Sequence, residues 1–329
     1  MNNIEARTRS AFCYAPGKAI LVGEHAVVYG ASAIAIPIEN GVRVAITDTE
    51  SHLKKQGIGP LMRGVGTFLF GEAYIGERSF GPAPIKAMLN YLVEIFSKDI
   101  EDLVIIVDGS LPPGRGLGFS AALSVAVIKA IDRYLELGID NESLYKHANA
   151  LETIFHGRPS GIDHAAVINN RPIGFRRDKD QGIHWPIHIG CDMTMVVAWA
   201  GPHDGTKNAV QMLKQRKERH HDLYENIFKG LDNLSKAMEK CLIEGSLVEV
   251  GELMNIAHGY LSAMMVSTPE LDRLCSIARG RGALGAKLTG AGGGGAMIAL
   301  SEDQGSKLMQ AFQDAGYPCM VTTIKKTIS

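Results

Sequence analysis

The chain has 329 residues, with 34 basic and 35 acidic side chains, a net charge of −1, 37 glycines and five cysteines. That length predicts two domains rather than one, and the near-neutral balance excludes the charge footprint of a nucleic-acid or anionic-membrane binder. Cys13, Cys191, Cys241, Cys275 and Cys319 are odd in number and show no CxxC spacing, so reduced thiols are expected rather than zinc or disulfides.

The first twelve residues contain no long apolar segment, and no apolar run approaches the roughly 20 residues that a bilayer requires. A cytoplasmic chain with no membrane contact is the resulting expectation. In chain order, 31–37 and 42–47 are β-like runs, and 85–96 is a helix with Pro84 near its first turn. The β-rich run 103–107 leads through a glycine-rich loop into a helix over 120–135, whose first two turns carry no charge and should be buried. A second helix spans 142–155, with Leu144, Ala148, Leu151 and Phe155 on one face. The polar segment 176–181 reads either as a hairpin tip or as a point near a domain boundary. We expect that boundary near residue 190, giving domains 1–190 and 191–329. Beyond it, 193–199 is a strand, and long helical patterns cover about 207–240 and 247–265. Thr268 is a candidate N-cap for a helix running to about residue 279, with Pro269 at its first position. Strands are expected at 283–288, 296–300 and 319–324, so the order of elements suggests an α+β second domain.

Four stretches carry chemistry. Leu111-Pro112-Pro113-Gly114-Arg115-Gly116-Leu117-Gly118-Phe119-Ser120-Ala121-Ala122 passes from strand to helix through three glycines. Bare backbone N–H groups and the positive end of a helix suit a phosphate. The spacing fits neither GxxxxGK[ST] nor GxGxxG. The run 290–295 holds four successive glycines, which let backbone approach a ligand or another backbone closely. Glu152 and His156 are four residues apart on one helix face, and Asp163 follows a turn built on Gly157, Pro159 and Gly161. Two carboxylates held by a fixed turn suit metal binding and proton transfer, while a solvated Glu and a capping Asp are the alternative. Finally, Lys18, Glu24 and His25 stand in an apolar stretch, 15–30, where charges need partners.

Taken together, PGKAILVGEHAVVYG, the 111–122 loop, HGRPSGID and AKLTGAGGGG resemble the GHMP kinase family, in order and spacing, from residue 15 to residue 295. The resemblance is greatest to its mevalonate kinases. Galactokinases show Glu-His-x-Asp-Tyr where this chain has Glu24-His25-Ala26-Val27-Val28.

The resemblance implies an α+β, two-domain GHMP kinase fold. Its N-terminal domain is like ribosomal protein S5 domain 2 and its C-terminal domain is ferredoxin-like. It implies ATP and Mg²⁺ as cofactors, mevalonate as the small-molecule substrate, transfer to the 5-hydroxyl, and a homodimer, with ATP and acceptor meeting in a cleft between domains. By alignment Lys18 and Asp163 are catalytic, the latter as base, and Ser120 and Glu152 hold the metal. Pro113, Gly114, Arg115, Gly116, Leu117, Gly118, Phe119, Ser120 and Ala121 bind nucleotide phosphates. Glu24, His25, Thr206 and Gly292 serve the substrate. Where the family usually has GLGSSAA, Phe119 replaces the first serine, which bears on loop shape and ATP affinity. Residues 50–84, where relatives contact the base, contain no motif that aligns. A GHMP kinase for another hydroxylated acid or sugar, and a catalytically silent sensing homologue, are the rival expectations.

Overall fold

The computed structural model describes residues 10–47, 67–69, 72–74, 82–96, 103–157, 159–178, 181–200 and 206–327. The segment 50–84, with its unaligned base-binding region, lies largely outside them. The chain forms two compact units that interleave along the sequence. The first takes residues 1–16, 40–112 and 119–159, and the second takes 17–39, 113–118 and 160–329. Each unit therefore draws on several separate stretches of the chain.

Two long strands run through both units, β1 (Ser10–Val22) and β2 (Ser32–Thr47), and they pair with each other. In the first unit β3 (Thr67–Leu69) and β4 (Glu72–Tyr74) form a hairpin, and α1 (Pro82–Phe96) precedes β5 (Val104–Gly109). There β5 pairs antiparallel with residues 42–47 of β2 and with β3. The helix α2 (Phe119–Leu135) buries 13 of its 17 residues, as the absence of early charge predicts. It packs on α3 (Asn141–His156), which buries Leu144, Ala148, Leu151 and Phe155 and is N-capped by the Asp140 carboxylate accepting from Ser143 N at 2.8 Å.

In the second unit α4 (Ile162–Asn169) follows Gly161, and residues 32–35 of β2 pair with β6 (Ile173–Asp178), which forms a hairpin with β7 (Gln181–Pro186). The polar segment 176–181 is therefore a hairpin. The expected 31–37 and 42–47 runs are one strand. Pro37, Glu39 and Gly41, which make it read as two, fall where β2 changes partner from β6 to β5.

Next come β8 (Met193–Trp199), α5 (Thr206–Arg219), α6 (His221–Glu244), α7 (Leu247–Ala263) and α8 (Pro269–Gly280). The expected helical stretch 207–240 is broken at His220, whose backbone leaves helical geometry. His221 is exposed and lies near Asp222 and Glu225, as a solvated surface residue would. Thr268 caps α8 as expected, with Pro269 at its start. The chain ends in β9 (Gly285–Thr289), β10 (Ala296–Ser301), α9 (Ser306–Asp314) and β11 (Cys319–Ile324). The sheet order β11-β8-β10-β9, all antiparallel, with helices between β8 and β9 and between β10 and β11, is the ferredoxin-like split βαβ arrangement. All five cysteines are free thiols, and no helix among the described residues is long and apolar enough to cross a membrane.

Candidate active site

The second unit gathers most of the expected residues. Lys18 lies in the buried half of β1, only 2% exposed, and its ammonium lies 2.8 Å from Asp163 Oδ1. Asp163 is in the first turn of α4, a helix that its short sequence hides, and is 33% exposed. A buried cation thus meets a carboxylate that still faces outward. Burying that ammonium without a partner would be strongly unfavourable.

The 113–118 loop lies directly on the lysine. Lys18 N donates to Leu117 O at 2.9 Å. A Cβ on Gly118, at φ 78°, would come within 2.7 Å of Lys18 Cγ. Only glycine permits both that backbone conformation and that approach. The two glycine-rich loops also touch, because a Cβ on Gly290 would meet Gly116 Cα at 3.0 Å. The glycine run 290–295 therefore serves close approach of backbone to backbone, one of the two uses its composition allows. Gly292 is held against Val266 O, and Gly293 N donates to that same carbonyl at 2.7 Å.

Glu24 is 2% exposed and pairs through Oε1 with the buried ammonium of Lys287. Lys287 also donates to Ile20 O at 3.0 Å and Leu288 O at 2.6 Å. Burial pushes Glu24 up and Lys287 down, each toward its neutral form, and the ion pair opposes both shifts. His25 is half-buried, with φ 61°, and burial takes its pKa down to about 4. Its Nε2 lies 3.0 Å from Ala291 O, so this nitrogen carries the proton and donates to the second glycine-rich loop. Thr206 is the first residue of α5.

A separate cluster stands in the first unit. Ser120 Oγ is 2.9 Å from His156 Nε2, and the same nitrogen is 3.9 Å from Glu152 Oε2. Glu152 is 1% exposed. Phe119 and Ala121 are buried, and the Phe119 ring lies 3.7 Å from the place a Gly109 side chain would take. The ring belongs to the packing of this unit, so the replacement of the family's serine puts apolar bulk in the interior. Lys287 and His156 received no role from the sequence. The available signals were a lone lysine inside an apolar run and the four-residue spacing from Glu152.

The family models confirm what these motifs suggest. The GHMP kinases N-terminal domain matches residues 84–171, and the GHMP kinases C-terminal model matches 238–318. Curated relatives include a mevalonate kinase of Pyrococcus abyssi, 32% identical and covering 97% of this chain and 96% of the relative. Another, from Pyrococcus horikoshii, is 34% identical and covers 95% of each.

This chain belongs to the GHMP kinase family.

As a GHMP kinase it is an ATP-using phosphotransferase, and the interleaved α+β units are the family's two-domain fold. The fold is shared with the crystal structure of L. major mevalonate kinase in complex with R-mevalonate, at TM-score 0.80 and 24% identity over 100% of both chains. The N-terminal GHMP model contains the 113–118 loop, Ser120, Glu152 and Asp163, and the C-terminal model contains Lys287 and the glycine run. Lys18, Glu24, His25 and Thr206 fall outside both models.

Proposed function

We propose that this GHMP kinase transfers the γ-phosphoryl group of ATP to the 5-hydroxyl of mevalonate, yielding ADP and 5-phosphomevalonate on the route to isoprenoids. The observation that carries the reading is the Lys18–Asp163 pair set against the phosphate loop, in a chain whose curated relatives over nearly full length are mevalonate kinases. We place the boundary between the family's two domains near residue 190; the N- and C-terminal family models match on either side of it, over 84–171 and 238–318.

Transfer of this kind asks for positioning and charge neutralisation more than covalent chemistry. Backbone N–H groups of residues 114–120, where α2 begins, cradle the nucleotide phosphates. The acceptor oxygen attacks the γ-phosphorus as the bond to the ADP oxygen breaks, and the hydroxyl proton passes to Asp163. Lys18 stabilises the negative charge that develops on the oxygens. Glu24, His25, Thr206 and Gly292 shape the acceptor side. Glu24 does so through its pairing with Lys287, and His25 and Gly292 through the second glycine-rich loop.

Ser120 and Glu152 are suited to Mg²⁺. Both offer hard oxygen donors, and both lie within 4 Å of one ring nitrogen. Mg²⁺ keeps several waters and takes one or two carboxylates together with substrate phosphates. Among the described residues there is no group of three His, Cys, Asp or Glu able to hold a metal alone. When bound, the cation supplies charge neutralisation at the phosphate oxygens.

The test is ADP release measured with Mg-ATP and a panel of mevalonate, phosphomevalonate, galactose and homoserine. Release dependent on mevalonate alone is the expected result. Turnover of another acceptor would overturn the substrate, and no turnover with any would overturn the activity.

A further inference from the structure

The face of α3 that presents Glu152 ends in His156, the last residue of the helix. Gly157 closes the helix directly behind it, its N–H donating to Thr153 O at 2.8 Å, so the ring is held in a defined final turn. One nitrogen of that ring, Nε2, faces two groups at once, Ser120 Oγ at 2.9 Å and Glu152 Oε2 at 3.9 Å. A proton relay would place hydroxyl and carboxylate on opposite ring nitrogens, so the arrangement is not a nucleophile triad. The ring is 48% exposed while Glu152 is 1% exposed, so the core does not require the imidazole for packing.

A serine hydroxyl has one proton and two lone pairs. To ligate a cation it must turn a lone pair to the metal and send its proton elsewhere. Groups that accept such a proton from outside the coordination sphere fix ligand orientation, and losing them typically weakens metal binding by about 10–100-fold.

We infer that His156 is a positioning residue for the divalent cation. Its unprotonated Nε2 accepts the Ser120 O–H hydrogen bond, which leaves the serine oxygen's lone pairs to the metal. The same nitrogen marks the point on which the Ser120 oxygen and the Glu152 carboxylate converge. His156 makes no bond to the metal and takes no part in proton transfer. This inference rests on Ser120 and Glu152 being the metal ligands, as assigned in the proposed function.

The experiment measures Mn²⁺ binding to the enzyme–ADP complex by electron paramagnetic resonance, for wild type, His156→Ala, His156→Gln, Ser120→Ala and Glu152→Gln. Thermal unfolding is recorded for each. The expected result is that His156→Ala weakens Mn²⁺ binding by about 10–100-fold, with its thermal midpoint and mevalonate KM close to wild type. His156→Gln recovers most of the loss, because its amide oxygen reaches the position of Nε2. Unchanged Mn²⁺ affinity in His156→Ala overturns the inference, as does tighter binding, which would make the ring a competitor of the cation. A glutamine variant as weak as alanine also overturns it. If Ser120→Ala and Glu152→Gln bind Mn²⁺ like wild type, the ligand assignment itself falls and takes this inference with it.

Discussion

At the scale of single residues, the chemistry depends on charges that the fold keeps away from water. Lys18 is the sharpest case, since its stem is enclosed and its ammonium meets Asp163 at 2.8 Å. Lys18→Met is expected to lower kcat by about 10²–10³-fold, the usual loss for one contact to developing charge. Asp163→Asn should lose roughly 10²–10⁴-fold if the carboxylate acts as base. Steady-state kinetics of the two variants separate the roles, and near-normal turnover in either removes that residue's assignment. The Glu24–Lys287 pair is a stability matter. Lys287→Met leaves a buried carboxylate without its cation and is expected to destabilise the protein by about 3–5 kcal/mol. Glu24→Leu combined with Lys287→Met should recover much of that, because no unpaired charge remains. Denaturant titration of the single and double variants checks both statements.

At the scale of elements, loops and helix ends decide what reaches the site. A Cβ at position 118 would lie 2.7 Å from the Lys18 stem and demand a positive φ of an L residue. Gly118→Ala should therefore displace both the loop and the lysine. A misplacement of this kind can reduce rate by on the order of 10²-fold, so kcat/KM for ATP is the quantity to follow. An unchanged value would mean that the loop tolerates the methyl group and that its contact with Lys18 is incidental. The α8 cap gives a milder case. Thr268 Oγ1 accepts from Leu271 N at 3.3 Å, and Thr268→Ala is expected to reduce stability by about 1 kcal/mol without changing kcat.

At the scale of the whole molecule, one half-buried and one buried histidine set the response to acid. Burial takes the pKa of His25 and of His164 down to about 4, from an ordinary value of 6.5. Each stays neutral in the folded chain while the unfolded chain protonates it below 6.5. Their contribution is complete above pH 6.5 and is lost as pH falls toward 4, with a slope of about 1.4 kcal/mol per pH unit for one fully titrating group. Asp192 and Asp303 behave differently. Backbone N–H and Lys325 hydrogen bonds hold Asp192 below its ordinary 3.8, and Ser301 and Gly305 N hold Asp303 there. Their contribution is present above pH 3.8 and disappears only at lower pH. Thermal midpoints between pH 7.5 and 4.5 should therefore already fall below pH 6.5. A flat profile across that range would show that the histidines titrate normally.

Local pattern alone was enough to locate the helices of α2, α3, α7 and α8, the strands of the split βαβ unit, the Thr268 cap and the four motifs, because periodicity, capping residues and glycine clusters act over a few neighbours. Partnership required the tertiary structure. Pro16-Gly17 and Pro37–Gly41 read locally as breaks, yet both lie inside long strands, and at the second β2 exchanges β6 for β5. The helix that carries Asp163 is only 8 residues long and shows little helical periodicity. The motif 290–295 allowed either a ligand or a backbone as neighbour, and only the folded chain places Gly290 against Gly116. The same holds for Lys287, 263 positions away from Glu24 in the chain, and for His156 and Ser120, 36 apart. A residue's type announces that it needs a partner, because burying a charge or hydroxyl alone is unfavourable. Which distant residue answers that need is decided by how the chain packs.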